Sequence, residues 1–266
     1  MTLATDVPPA PGRRIHIVLS LRTASGKPIG PVDLLVTHTK LLHLMVVDPS
    51  LRDYQHIHPV PGRAPGDWEA DLTPQRAGRY LVFADFTPAA TARGLYASAE
   101  FSVPGTPDLP PPTDNWINEE DGLRCTLTPD APIRARAVVN LTLTVESVWP
   151  WHGHLARASG RDTGILPVSS DERLDSDLPP VAEDRQPVPL EPVMGAYAHL
   201  VAFDAARSGF AHLHPQQVDS GWRPDLYRPQ LNFRVQIPQP GRFVIWSQIK
   251  TGGRERFAPF WIEVAP

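Results

Sequence analysis

The sequence predicts an all-β chain made of two tandem immunoglobulin-like antiparallel β-sandwich domains. Three observations lead there: a duplicated pattern, an excess of proline, and short alternating segments cut by turn residues. Proline supplies 32 of the 266 residues, more than twice the usual share of about 5%. It lacks the N–H that helix interiors and central strands need, so short strands and many turns follow. With 41% hydrophobic residues the chain has material for two modest cores.

The duplication is read in three blocks. Thr2, Leu3, Asp6, Pro8 and the alternating Ile15, Ile17, Leu19 and Leu21 recur as Thr126, Leu127, Asp130, Pro132, Val139, Leu141, Leu143 and Val145, at an offset of 124. His43, Leu44, Asp48, Tyr54, His56, His58 and Pro59 recur as His199, Leu200, Asp204, Phe210, His212, His214 and Pro215, at 156. Gly78, Arg79, Tyr80 and Phe83 recur as Gly241, Arg242, Phe243 and Trp246, at 163. The step from 124 to 156 puts 32 extra residues into the second copy. The stretch 149–186 has neither a period of 2 nor one of 3.6, and its tail is rich in Pro, Asp and Ser, so a disordered insertion is expected there. Its phrases WHGHLARAS and RDTGILPVSS resemble dispersed repeat-derived peptides that interrupt bacterial reading frames. That resemblance makes His152 and His154 poor ligand candidates. The Pro-rich run PGTPDLPPPTD is a semi-rigid spacer. The expected domains are 1–104 for the first repeat, 105–118 for the linker and 119–266 for the second repeat.

In the first copy, strands are expected over 14–22, 32–37, 42–48, 53–58, 68–72, 80–86 and 97–103, with turns at Ser25-Gly26-Lys27-Pro28 and Pro61-Gly62. About seven short strands in about 100 residues is a sandwich pattern. No segment reads as a helix.

The strands on either side of Pro49-Ser50-Leu51-Arg52 form a predicted hairpin. If Asp48 and Asp53 flank the turn, His43 faces His58, Met45 faces His56 and Val47 faces Tyr54, all on one surface. In the second copy the same construction pairs His199 with His214, Val201 with His212 and Phe203 with Phe210. Opposed residues have Cβ atoms about 4.5–5.5 Å apart, close enough for three imidazoles to share one ion with bonds of about 2 Å. A fourth ligand could be Asp85 or His38; Gln248 and Met194 hold those positions in the second copy. Imidazole suits Zn(II), Cu(II) or Ni(II), and the thioethers of Met45 and Met194 add Cu(I). Copper is the first choice and zinc the alternative. The competing reading is that these histidines only hydrogen-bond carbonyls and brace the hairpins.

Other functions lack support. A net charge of -4 and the absence of a Lys/Arg stripe argue against nucleic acid. No apolar run approaches the roughly 20 residues of a membrane span. Cys125 is the lone cysteine, alternating with Leu123 and Leu127 as a small buried hydrophobe would. No nucleophile elbow, phosphate loop, dinucleotide fingerprint or zinc-protease helix is present, so no enzyme is expected. Glu119-Glu120-Asp121 reads as a solvated turn, and Trp68, Trp222, Trp246 and Trp261 as core or edge residues. Residues 1–20 contain no apolar signal core. A removed signal, a start placed too late, or a cytoplasmic protein would each explain this.

The phrases LEPVMGAYAHLVAFD and FAHLHP, with HLMVVD, YQHIHP and RYLVFADFTPA in the first copy, resemble exported bacterial YtkA-like domains carrying a His-x-His-Pro signature. The resemblance covers both halves without the insertion. It implies a periplasmic or extracytoplasmic protein of copper or heavy-metal handling, with a metal-transport or efflux protein as partner. It also implies ligand sets of His43, His56, His58 and Asp85 in copy one, and Met194, His199, His212 and His214 in copy two. Because Gln248 stands where Asp85 would be expected, the second site should be the weaker or the different one. The expected function is therefore non-catalytic metal binding, with one hairpin site per domain. The alternative is a structural or interaction module.

Overall fold

The computed structural model describes residues 1–109, 113–148, 186–216 and 221–266. Within them the chain is nearly all β, in four antiparallel sheets. The first half carries β1 (Thr2–Thr5), β2 (Ile15–Ser20), β3 (Leu34–Leu35), β4 (His43–Val47), β5 (Tyr54–Ile57), β6 (Val60–Pro61), β7 (Asp67–Leu72), β8 (Gly78–Pro88) and β9 (Leu95–Val103). The second carries β10 (Ile117–Glu120), β11 (Leu123–Pro129), β12 (Val138–Ser147), β13 (Ala198–Asp204), β14 (Phe210–Leu213), β15 (Gln230–Gln236), β16 (Gly241–Thr251) and β17 (Arg254–Val264). In the first half β1-β2-β7-β6 packs against β3-β8-β4-β5, with β9 also paired to β8. In the second, β10-β11-β12-β15 packs against β14-β13-β16-β17.

Alternation explains the packing. In β2 the apolar set Ile15, Ile17 and Leu19 points inward to meet Leu44, Val46, Val82 and Ala84 of the facing sheet. Leu141, Leu143 and Val145 meet Leu200, Ala202 and Ile245 in the same way. Cys125 and Trp68 are buried in these two cores.

A third apolar cluster joins the halves. Met45, Val47, Leu51, Tyr54 and Phe83 of the first half pack on Val201, Phe203, Val244, Trp246 and Trp261 of the second. The ring of Tyr54 lies 5.6 Å from Phe203 and 5.5 Å from Trp246, and the Trp246 indole N–H donates to the Leu51 carbonyl at 3.3 Å. This is why all five residues of β4 are buried: its even-numbered side chains fill their own sandwich, and its odd-numbered ones fill the joint. Each fully buried large apolar side chain contributes roughly 1.5–3 kcal/mol.

Three expectations are corrected. Only Leu34–Leu35 of the 32–37 segment pairs as a strand; Pro31 and Gly30 start a single 3₁₀ turn over Pro31–Asp33 instead, because proline fits the first helical position. β10 opens at Ile117, so the last two residues assigned to the linker belong to a strand, which Glu119 and Glu120 continue to the Asp121-Gly122 turn. β1 and the two-residue β6 were not expected. The proposed insertion, with His152 and His154, lies outside the described residues except for Gln186.

Candidate metal centre

The hairpins have the expected register. Met45 pairs with His56 and Val47 with Tyr54 across β4–β5, while Val201 pairs with His212 and Phe203 with Phe210 across β13–β14. His43, His56 and His58 therefore form one group, and His199, His212 and His214 another; in each, one nitrogen per ring lies within 4.8 Å of the others. Both groups face the joint between the halves.

The hydrogen bonds of each ring decide which nitrogen is free. His43 Nε2 lies 3.0 Å from the Thr37 carbonyl and His199 Nε2 lies 2.8 Å from the Val193 carbonyl. A carbonyl only accepts, so each Nε2 carries the proton. His56 Nδ1 donates to Gln248 Oε1 at 2.8 Å; that amide is oriented by its own Nε2 donating to Glu255 at 2.8 Å. His212 Nδ1 faces the Asp85 carboxylate at 3.6 Å.

A neutral imidazole has a single N–H. His43 Nδ1 and His56 Nε2 are thus left as two lone pairs 3.2 Å apart; in the second triad the lone pair of His199 Nδ1 meets His212 Nε2 at 3.3 Å, and Asp85, beyond hydrogen-bond distance of His212 Nδ1, does not fix the proton of that ring. The third nitrogens, His58 Nε2 and His214 Nε2, are buried with no hydrogen-bond partner. Protonation is a poor remedy. Burial, reinforced by neighbouring imidazoles, pushes His56, His212 and His214 down to about 2, and His58 and His199 to about 4. Burial also lowers His43, against the Thr37 bond that raises it. Each triad is a neutral, three-nitrogen donor set, the form in which imidazole binds a metal.

The carbonyls that fix His43 and His199 belong to matching turns. Thr37 bridges Lys40, and Val193 bridges Ala196. Both central residues of each turn have positive φ: 50° and 68° for His38 and Thr39, 51° and 82° for Met194 and Gly195. This is the type I′ geometry of tight hairpins. Thr39 is β-branched and disfavoured there. Met194 thus occupies the turn position equivalent to His38. The two turns adjoin, since a Cβ on Gly195 would lie 3.7 Å from the Thr39 methyl.

The halves exchange partners at the joint. Gln248 of the second half orients His56 of the first, and Asp85 of the first faces His212 of the second. The ring of His212 lies 5.2 Å from His56 and 5.6 Å from His43, as close as rings within a triad, where His43 and His56 are 5.4 Å apart. His38, exposed at the edge, stacks its ring on His214 at 3.6 Å. Among the described residues, the two sites expected in separate domains are one cluster of seven histidines and a carboxylate. Gln248 leaves the second triad without a carboxylate from its own half, while Asp85 of the first half stands 3.6 Å from His212. Burial raises the Asp85 carboxyl, while the imidazoles of His43 and His38 draw it back down.

Sequence reasoning missed Gln248 as an orienting residue and the Thr37 and Val193 carbonyls. One signal was available. LMVV and LVAF, each directly after a cluster histidine, are unbroken apolar runs, the mark of strands covered on both faces.

The chain was compared with known proteins. No curated protein matches its sequence. Among solved structures, a Salmonella alpha-2-macroglobulin variant is similar at 13% identity and a TM-score of 0.26, covering 99% of this chain and 16% of the other. Red sea bream transglutaminase is similar at 9% identity and 0.26, covering 99% and 31%. The chicken interferon gamma receptor alpha chain is similar at 10% identity and 0.23, covering 99% and 97%. The chain spans well under half of the first two, and scores this low bear on neither fold nor function. The family model described as Domain of unknown function (DUF8832) matches residues 1–103 and 163–266, both halves of the duplication, and the chain belongs to that family.

Proposed function

We propose that this protein is a non-catalytic metal-binding protein, with copper as its first ion and zinc as the alternative. One observation carries the reading: in the first triad two buried ring nitrogens, both deprived of a proton by fixed partners, confront each other at 3.2 Å, and the second triad repeats the approach at 3.3 Å with one of its two rings so fixed. Opposed lone pairs repel, and a cation between them turns the repulsion into two bonds. His58 Nε2 and His214 Nε2, unpartnered and buried, supply the third bond in each; an unmet buried acceptor costs about 1–3 kcal/mol. The outer acceptors that such ligands need are supplied by Thr37, Val193 and Gln248, with Asp85 standing 3.6 Å from His212. Copper is favoured by three-imidazole donors together with Met45, which is buried and pairs with His56 in the hairpin register, since imidazole and thioether between them accommodate both of its oxidation states. The resemblance to YtkA-like domains supports a role in bacterial metal handling outside the cytoplasm, with a metal-transport or efflux protein as partner.

Metal-stripped protein titrated with Cu(I), Cu(II) and Zn(II), with metal content and melting temperature measured, tests this. Tight binding and a higher Tm are expected; absence of any bound ion refutes it.

The bracing alternative rests on the bonds of His43 and His199 to the turn carbonyls. His58 separates the two readings, because its Nε2 braces nothing. Under the metal reading His58→Ala lowers ion affinity at least about tenfold while metal-free stability changes little. Unchanged affinity would favour the brace.

A further inference from the structure

The two triads lie too close together, and hold too little negative charge among the described residues, to act independently. Across the joint, ring separations of 5.2 and 5.6 Å equal those inside a triad. Ions held on these rings by bonds of about 2 Å sit closer together than about 10 Å, the spacing of packed sheets. All six donors are neutral imidazoles. Among the described residues the carboxylate that meets them is Asp85, which pairs with His43 in the β4–β8 register and stands 3.6 Å from His212, so it borders both triads. Glu255 stands one step back, behind the Gln248 amide. Lys40 adds positive charge beside His43 and His58.

Resting on the metal reading above, we propose that the triads form one charge-limited centre, which takes either a single divalent ion or a pair of monovalent ions. Repulsion grows as the product of the charges, so two divalent ions repel four times as strongly as two monovalent ones at the same distance. One carboxylate offsets a small part of that. The second divalent ion therefore enters at least about a hundredfold more weakly than the first, whereas two monovalent ions fill the cluster with nearly equal affinity. By this logic the centre is suited to a soft monovalent ion such as Cu(I), which three imidazoles and a nearby thioether also accept.

Calorimetry and native mass spectrometry of the metal-free full chain with Zn(II) and, separately, with Ag(I) as a redox-inert monovalent probe test the proposal. The expected result is one tight Zn(II), a second at least about a hundredfold weaker, and two Ag(I) within about tenfold of each other. Two equally tight Zn(II), or Ag(I) stopping at one, overturns the coupling while leaving metal binding intact. No bound ion of either kind overturns the metal reading itself. Asp85→Asn, of the same shape, gives the second arm: the first Zn(II) weakens about tenfold and two Ag(I) still bind. If its Zn(II) affinity matches the parent's, the shared-carboxylate argument fails.

Discussion

His43 and His199 each use one ring nitrogen to fasten a turn and hold the other against a neighbouring imidazole. The chemistry of the cluster rests on those proton positions, and hence on the acceptors that set them. Gln248→Leu removes the acceptor of His56 Nδ1 and frees that ring to present either nitrogen. Affinity of the centre for its first ion should drop about 10- to 100-fold, read by competition with a chromophoric chelator. Cys125 offers a contrasting case of a reactive atom without a task. Burial lifts its thiol to about 12, so Ellman's reagent should modify it only on the timescale of unfolding. Rapid labelling of the native protein would contradict that packing.

At the scale of elements, the β4–β5 hairpin is held by Asp48. Its carboxylate accepts from Ser50 N at 3.0 Å, Ser50 Oγ at 2.5 Å, Arg52 N at 2.8 Å and Asp53 N at 2.9 Å. In the β13–β14 hairpin, Asp204 accepts from Ser208 N at 2.9 Å and from its hydroxyl. Asp48→Ala should therefore cost about 2–4 kcal/mol and Asp204→Ala about half of that, measured as shifts of the urea midpoint. Equal losses would show that the bond count does not govern loop order. These elements were the legible part of the sequence. Period-2 alternation and the spacing of Asp48 and Asp53 yield the strand pair and its register, because a one-residue slip would turn His43, Met45 and Val47 onto the other face. β3 was less legible, since Val32 and Leu35 are apolar yet exposed. So were β1 and β6: residues 2–5 alternate too weakly, and Val60–Pro61 is too short to show a period.

For the whole molecule, the deciding feature is the joint between the halves. Phe203 is fully buried there against Tyr54 and Phe83. Phe203→Ala should destabilise the protein by about 3–5 kcal/mol and weaken ion binding too, although the side chain touches no ion; chemical denaturation and the titrations above would measure both. A variant that loses stability but keeps full affinity would mean that the triads do not depend on docking. The merging of the sites could not be read from residue order. Periodicity reports which face of a strand is covered, and the duplication reports that two such faces exist. Neither states that each face covers the other. For the same reason Gln248 looked like a lost ligand when weighed inside its own copy. Its partner, His56, lies 192 positions away in the other copy.

The reciprocal contacts, Gln248 to His56 and Asp85 to His212, are those of a homodimer whose subunits have been written into one polypeptide. A tether converts such an association into an intramolecular step, with an effective concentration in the millimolar range for a short connector. Dilution then leaves the pocket assembled at any abundance in the cell. The equivalent positions 85 and 248 differ, Asp against Gln, so among the described residues the centre carries one carboxylate where two identical halves would carry two.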